Sequence, residues 1–247
     1  MQLKIKHSYD ASGAVKNIYL SHLKINGLFE IFDEHCETVV ILLSGAIEVF
    51  LEKKHLLQRK NVFEEKACAV YVPRNTKISL FANKESEIAI CKTKVSVDSQ
   101  LSIILPSAIK EQLRGDYGFR RKVYDILGED GPSVKLVVGE TINFKGEWSS
   151  FPPHKHDTNS STEVKMEEIY LFKLNPPDGF GMQRIYTQDK TLDESLHIET
   201  NDIVLIPKGY HPVCVIPGYE LYYLWVLVGD SKKLMPNTQE NYKWLIK

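Results

Sequence analysis

The sequence predicts an all-β protein made of two tandem antiparallel β-barrel domains. Short runs of β-branched and aromatic residues recur along the 247-residue chain, as at 38–43, 46–51 and 68–72, and turn residues such as Ser44 and Gly45 separate them. Strands that recur every 8 to 12 residues or so are typical of sandwiches and barrels. The chain length suits two domains of about 120 residues each.

An internal repeat supports two domains of the same kind. Glu37 begins an apolar run in the first half as Glu168 does in the second, and the apolar runs that end at Pro73 and Pro207 also resemble each other. The two pairs are offset by nearly the same number of residues. They therefore indicate duplication of one β-domain.

We place the boundary between the halves in the turn-rich segment 114–118. This gives an N-terminal domain over residues 1–113 and a C-terminal domain over residues 114–247. The residues just before the boundary, 106–113, have the composition of a short helix with Pro106 in its first turn.

Composition and charge exclude several classes of function. The formal net charge is -1, and Lys and Arg form no block of the kind that nucleic-acid binding needs. Neither an early apolar run nor a stretch long enough for a transmembrane helix is present. The cysteines are far apart and form no C-x-x-C, which is typical of reduced thiols. We expect a cytoplasmic protein without nucleic-acid or membrane partners.

The most informative pattern is a set of four candidate metal ligands in the second half. His154 and His156 are two apart, so both project to the same face of an extended strand. Glu168 begins the next apolar strand, and His211 follows the turn that starts at Pro207. Three neutral nitrogens and one carboxylate suit a divalent ion, for which we favour zinc and keep manganese, iron and nickel open.

The carboxylate ligand has two rivals in the polar stretch before the strand, Glu163 and Glu167. We prefer Glu168 because it directly precedes the apolar residues of that strand. The first domain lacks an equivalent site, since Lys77 stands where the repeat would place a histidine. A charged lysine cannot ligate a cation, so this domain is interpreted as structural or dimerising.

The order H-x-H, Glu, P-x-G-x-H resembles the two metal motifs of the cupin superfamily. The sequence more closely resembles the 5-deoxy-glucuronate isomerases of bacterial myo-inositol catabolism, and more distantly 4-deoxy-L-threo-5-hexosulose-uronate ketol-isomerase. The matching segments are 146–157, 167–170, 179–186, 207–213 and 221–225. The resemblance covers almost the whole chain and implies a bicupin, with two jelly-roll barrels of the double-stranded β-helix type. The gap between H-x-H and Glu is longer than in a compact cupin, and P-x-G-x-H is one residue tighter than usual.

The resemblance implies a metal-assisted isomerisation of 5-deoxy-D-glucuronate to 5-dehydro-2-deoxy-D-gluconate, carried out by a homo-oligomer. The general base, and the choice between proton transfer and hydride shift, stay open. Two alternative functions also stay open: a non-catalytic sugar-binding cupin and a metal-dependent cupin dioxygenase.

A cation must bind the distant carboxylate of such a substrate, and Arg184 is our first candidate. A guanidinium fits a carboxylate bidentately, and Tyr186 shares the strand face of Arg184. Tyr223 and Trp225 also share a face, either as walls of the pocket or as ordinary barrel core. The candidate catalytic residues are Glu168, Tyr170 and Arg184, and the candidate substrate-binding residues are Arg184, Tyr186, Tyr223, Trp225, Lys208 and Arg121.

Overall fold

The computed structural model describes residues 1–246, which fold almost entirely into antiparallel strands, so the all-β prediction is confirmed. The first eight strands are β1 (Lys4–Lys6), β2 (Ser8–Asp10), β3 (Tyr19–Ile31), β4 (Cys36–Phe50), β5 (Lys54–Arg59), β6 (Cys68–Val72), β7 (Ile78–Lys94) and β8 (Ser102–Ile104). The following strands are β9 (Glu111–Arg114), β10 (Arg121–Leu127), β11 (Leu136–Asn143), β12 (Trp148–Ser149), β13 (His154–Lys155), β14 (Met166–Asn175), β15 (Gly181–Tyr186), β16 (Asp193–Ile198), β17 (Asp202–Ile206), β18 (Val213–Val215), β19 (Glu220–Gly229) and β20 (Asn237–Thr238). Short 3₁₀ helices span Pro106–Ala108 and Glu240–Leu245. Within residues 1–246, no helix is long and apolar enough to cross a membrane.

The N-terminal half forms one sheet in the order β2-β3-β7-β4-β6-β8, with β5 paired to β4. Successive residues of a strand project to opposite faces, and side chains on both faces of β4 are buried. Val40 and Leu42 belong to an apolar cluster made by this sheet alone. Val39 and Ile41 belong to the larger core that also contains the strands of the C-terminal half. The two halves therefore share a core.

The C-terminal half consists of a large sheet, a four-stranded sheet and a small strand pair. The large sheet has the order β1-β17-β14-β19-β11-β10-β9, the second has the order β12-β18-β15-β16, and β13 pairs with β20. Hydroxyl pairs join the segment that begins with β12 to the large sheet, Ser149 to Tyr223 at 2.5 Å and Ser150 to Tyr170 at 2.7 Å. Of the candidate metal ligands, Glu168 lies on β14 and His154 on β13, whereas His156 and His211 lie in the segments that follow β13 and β17.

The division of the chain at residues 113 and 114 stays a prediction, and two strand pairs cross it. Strand β1 pairs with β17 of the C-terminal sheet, and β9 spans the boundary while it pairs with β10. The expected helix over residues 106–113 is wrong except for its first three residues. Those residues form a 3₁₀ turn without a side-chain cap, and the chain then extends to pair with β10.

The internal repeat has a different register from the one that the sequence predicts. Thr38 pairs with Val72 just before Pro73, and Glu168 pairs with Ile206 just before Pro207. Thr38 therefore occupies the place equivalent to Glu168. Glu37 lies one residue earlier, and a shift of one residue turns a strand side chain to the opposite face.

Glu37 instead joins the two halves. Its buried carboxylate accepts the backbone N–H groups of three consecutive residues, 134–136, at 2.6 to 2.8 Å. A second buried link is the ion pair between Arg59 of β5 and Glu140 of β11, whose carboxylate also accepts the Tyr222 hydroxyl. Breaking a buried pair on one side costs about 3–5 kcal/mol, so these contacts hold the halves in a defined position.

Candidate metal site and substrate cavity

Three of the four predicted ligands form a buried cluster. The Nε2 atoms of His156 and His211 lie 3.0 Å and 3.2 Å from Oε2 of Glu168, and the potential ligand atoms of the three residues lie within 4.8 Å of one another. His154 stands outside that group but beside it. Its ring centroid is 4.8 Å from that of His211 and 6.4 Å from that of His156.

The orientation of the imidazole rings is fixed by backbone carbonyl groups. Each Nδ1 lies at hydrogen-bond distance from a carbonyl oxygen, which can only accept, so Nδ1 carries the proton. The pairs are His154 with Pro152 (3.2 Å), His156 with Met166 (2.9 Å) and His211 with Gly209 (3.0 Å). In a neutral imidazole the Nε2 atom then presents a lone pair, which is the tautomer that metal-binding histidines use.

The tight turn before His211 depends on a glycine. Gly209 has φ +89°, and a Cβ there would lie 2.5 Å from the Tyr186 carbonyl oxygen. The Gly209 N–H donates to the Asp157 carboxylate at 2.7 Å. Asp157 follows His156 directly, so this hydrogen bond connects the two segments that carry the histidines.

With these contacts made, hydrogen-bond acceptors in the cluster face one another without a donor between them. His211 Nε2 is buried and has no hydrogen-bond partner within residues 1–246. Two Nε2 lone pairs face a carboxylate oxygen, which is also an acceptor. A divalent cation would interact favourably with all of these atoms, and nitrogen and carboxylate ligands suit such an ion. The residues present therefore fit a metal ion.

The charges in the cluster influence one another. Burial disfavours the charged form of Glu168, but the adjacent imidazoles of His156 and His211 outweigh this and lower its pKa to about 2. Burial also opposes charge on His156, yet its pKa is raised because Glu168 is so close. Burial and the neighbouring His211 lower the pKa of His154 to about 3. His154 is therefore neutral at physiological pH, as a metal ligand must be.

The rival carboxylates have other partners. Glu163 accepts Lys155 Nζ at 2.8 Å and backbone N–H groups of the loop that follows His156. Glu167 points to the other face of β14, where it accepts the backbone and side-chain N–H groups of Asn17 at 2.9 Å. Of the three acids, only Glu168 belongs to the histidine cluster.

A cavity of about 740 Å³ opens beside the cluster. Its walls include the predicted residues Tyr170, Tyr223, Trp225 and Arg121, besides His154, His156 and Glu168. Trp225 is held in place by a hydrogen bond from Nε1 to Thr141 Oγ1 at 3.1 Å. This wall also contains polar residues that no sequence pattern indicated, which are Lys110, Gln112, Arg114, Asp125, Glu129, Asp130, Thr141 and Ser150.

Three predicted substrate residues do not line this cavity. Arg184 is exposed and forms a bidentate pair with Asp193, with both distances at 2.7 Å. Its guanidinium lies 4.4 Å from the centre of the Tyr186 ring, and the Tyr186 hydroxyl donates to Gln239. Lys208 is exposed in a separate surface depression. The role of these three residues in binding substrate is therefore not supported by their position.

Fold and site together define a cupin-type barrel with a candidate metal site and an adjoining cavity. Residues 3–245 match the KduI/IolB family, and the chain belongs to that family. The chain is 37% identical to the 5-deoxy-glucuronate isomerase of Geobacillus kaustophilus strain HTA426 over 215 residues, which are 85% of this chain and 78% of that protein. It is 32% identical to the enzyme of the same name from Bacillus subtilis strain 168, over 85% of this chain and 80% of that one.

Solved structures agree with this assignment. An IolB-like protein from Salmonella typhimurium LT2 superimposes with a TM-score of 0.96 and is 29% identical in sequence. The match covers 100% of both chains. A deletion mutant of the Bacillus subtilis oxalate decarboxylase OxdC has a TM-score of 0.64 with 12% identity, over 100% of this chain and 81% of that one. The second likeness concerns the fold alone, and it confirms the predicted bicupin architecture.

Proposed function

We propose that this protein is a metal-dependent aldose–ketose isomerase that converts 5-deoxy-D-glucuronate to 5-dehydro-2-deoxy-D-gluconate in the cytoplasm, as a step of inositol catabolism. The observation that carries the proposal is the cluster of Glu168 and convergent histidine Nε2 atoms in the wall of a cavity that also contains a cation, Arg121. Membership of the KduI/IolB family supports it, and so do the names of the curated relatives.

We assign the metal to His154, His156, Glu168 and His211, with zinc as the favoured ion and manganese, iron or nickel as alternatives. A bound divalent ion would act as a Lewis acid that polarises the substrate carbonyl and the adjacent hydroxyl. The carbonyl contacts at Nδ1 keep each ring oriented before the ion binds. Orientation of this kind raises metal affinity because little ordering remains to be done.

Tyr170 is the side chain that we assign to proton placement. Its hydroxyl lies 2.7 Å from Ser150 Oγ, and its ring centroid is 6.0 Å from that of His211. Burial and the charge of Glu168 raise the pKa of Tyr170 well above the ordinary value. Tyr170 therefore stays protonated at physiological pH and can donate a hydrogen bond to a substrate oxygen beside the metal cluster.

The remaining cavity residues bind and orient the sugar acid. Tyr223 and Trp225 form an aromatic wall, and Tyr223 is fixed by its contact with Ser149. Arg121 is the predicted cation that lines the cavity, so we assign the substrate carboxylate to it in place of Arg184.

A direct test combines elemental analysis with an activity assay. The protein should contain a divalent metal and form ketose from 5-deoxy-glucuronate, and a chelator should abolish this activity. His156→Ala should lose metal and activity together, whereas His35→Ala, at an exposed histidine with a 71% accessible side chain, should lose neither. Binding of the uronate by the metal-loaded protein without ketose formation would favour a sugar-binding cupin. Consumption of O₂ instead would favour a dioxygenase.

We also propose that the protein is a homo-oligomer that associates through the outer face of the N-terminal sheet. The strand register places Leu28, Phe81, Glu48 and Leu56 in one row across four strands, and both leucines are more than half exposed. Within this row Leu28 and Phe81 are adjacent, and a contiguous exposed apolar patch is a feature of protein–protein contacts. A monomeric mass in sedimentation equilibrium would contradict this part of the proposal.

A further inference from the structure

The end of the cavity formed by β9 and β10 carries two arginines side by side. Arg121 pairs directly with Arg114 in the register of these strands, and both side chains line the cavity. The residues two positions along, Gln112 and Val123, line it as well, as expected for one face of a sheet. Like charges directly opposite each other destabilise a strand pair, so this arrangement has an energetic cost in the absence of an anion.

Two other arginines, Arg59 and Arg120, have acidic partners, whereas neither Arg121 nor Arg114 forms an ion pair within residues 1–246. Arg59 pairs with Glu140 at 2.7 Å, and Arg120 pairs with Glu147 at 2.8 Å. Arg121 donates only to the Phe119 carbonyl oxygen at 3.1 Å, and no carboxylate within residues 1–246 forms an ion pair with it. A partly buried guanidinium stays charged, so its remaining N–H groups are available for an anion in the cavity.

Arg114 is oriented by an amide rather than by an acid. Its Nε and Nη2 atoms donate to Gln112 Oε1 at 3.1 and 2.6 Å. The Gln112 amide nitrogen in turn donates to Asp125 Oδ2 at 2.7 Å. These hydrogen bonds hold the guanidinium plane of Arg114 on the cavity side of β9 without neutralising its charge.

The opposite end of the same wall has a net negative charge, because three carboxylates line it together with Lys110. Asp125 lies four residues after Arg121 on β10, which is about 13 Å along an extended strand. Beyond it, Glu129 and Asp130 also line the cavity. An anionic group is attracted to the arginine end and repelled from the acidic end. The wall therefore distinguishes the two ends of a ligand that has a charge at only one of them.

We propose that Arg114 and Arg121 together form the carboxylate subsite of the cavity, and that this pair makes the protein selective for sugar acids over neutral sugars. The proposal rests on the sugar-acid substrate proposed above and adds Arg114 as a specificity-determining residue. Gln112 is a positioning residue, because it acts through the orientation of Arg114. The acidic end directs the uncharged carbons of the ligand away from the arginines.

Calorimetric binding measurements on the metal-loaded protein test the subsite, with D-glucuronate as the acidic probe and D-glucose as the neutral control. Arg114→Gln and Arg121→Gln should each weaken D-glucuronate binding by about tenfold to a hundredfold, the range for a charged hydrogen bond. Binding of D-glucose should change by less than about twofold. Arg114→Lys should retain part of the preference for the acid, because it keeps the charge but loses the bidentate geometry.

Lys122→Gln is the matched control for the loss of a positive charge on the same strand. Lys122 lies between two cavity residues but pairs with Glu111 at 3.4 Å and does not line the cavity. Its substitution should leave the preference for D-glucuronate unchanged. Equal losses for both probes in Arg114→Gln, or no preference for D-glucuronate in the unmodified protein, would overturn the subsite. Selective binding without turnover of 5-deoxy-glucuronate would instead overturn only the isomerase proposal.

Discussion

Gly139→Ala tests whether the aromatic wall of the cavity is as tightly packed as the structure shows. A Cβ at residue 139 would lie 2.1 Å from Cζ2 of Trp225 and 2.4 Å from the Tyr124 carbonyl oxygen. The carbonyl belongs to a paired strand and cannot move freely. The Trp225 ring must therefore shift, although its Nε1 is held by Thr141.

The expected cost follows from this overlap. Adding one methyl group to a packed core costs about 1–3 kcal/mol when neighbours have to move. We expect a loss of this size in the free energy of unfolding. Because the displaced ring would enter the cavity, KM for the uronate should also rise while the metal content stays unchanged.

Denaturant unfolding and steady-state kinetics measure both effects. Gly128→Ala is the matched control, since its nearest contact would be Asp125 Cβ at 3.9 Å although Gly128 lines the same cavity. The double variant Gly139→Ala/Trp225→Leu should lose less stability than the sum of the single changes, because the overlap is removed. An unfolding free energy and KM equal to those of the unmodified protein would refute the packing argument.

Two further predictions concern residues outside the cavity. Arg184→Ala should leave KM for the uronate within about twofold, because its guanidinium pairs with Asp193 at the surface; a large rise in steady-state KM would return Arg184 to the site. Glu87→Gln should destabilise the protein at pH 7 by at most about 3 kcal/mol, because burial opposes its charge but His22 and Lys173 lower its pKa to about 2. This stabilisation is present above the ordinary glutamate pKa near 4.5 and is lost as the pH falls towards 2. The free energies of unfolding of variant and unmodified protein should therefore converge in acid. A difference in unfolding free energy that does not depend on pH would contradict the assignment.

The local parts of the site could be predicted from the sequence because they depend on short-range geometry. H-x-H places two imidazoles on one strand face, and the turn at Gly209 requires a residue that tolerates positive φ. The alternation along β14 also separates Glu168 from Glu167, whose side chains take opposite faces. The spacing of strands and turns was sufficient for the all-β class in the same way.

Only the tertiary structure decided which cations share the cavity with the cluster of histidines and Glu168. The sequence favours Arg184 over Arg121, but their strands belong to different sheets, and of the two only Arg121 lines the cavity. The partnership of Arg114 with Arg121 depends on the pairing of β9 with β10, where a short helix was expected. Glu37 shows the same limit. The repeat makes it the counterpart of Glu168, but the strand register differs by one residue, and Glu37 instead joins the two halves. Local patterns determine which face of a strand a residue occupies, whereas the pairing of distant strands determines which residues that face contacts.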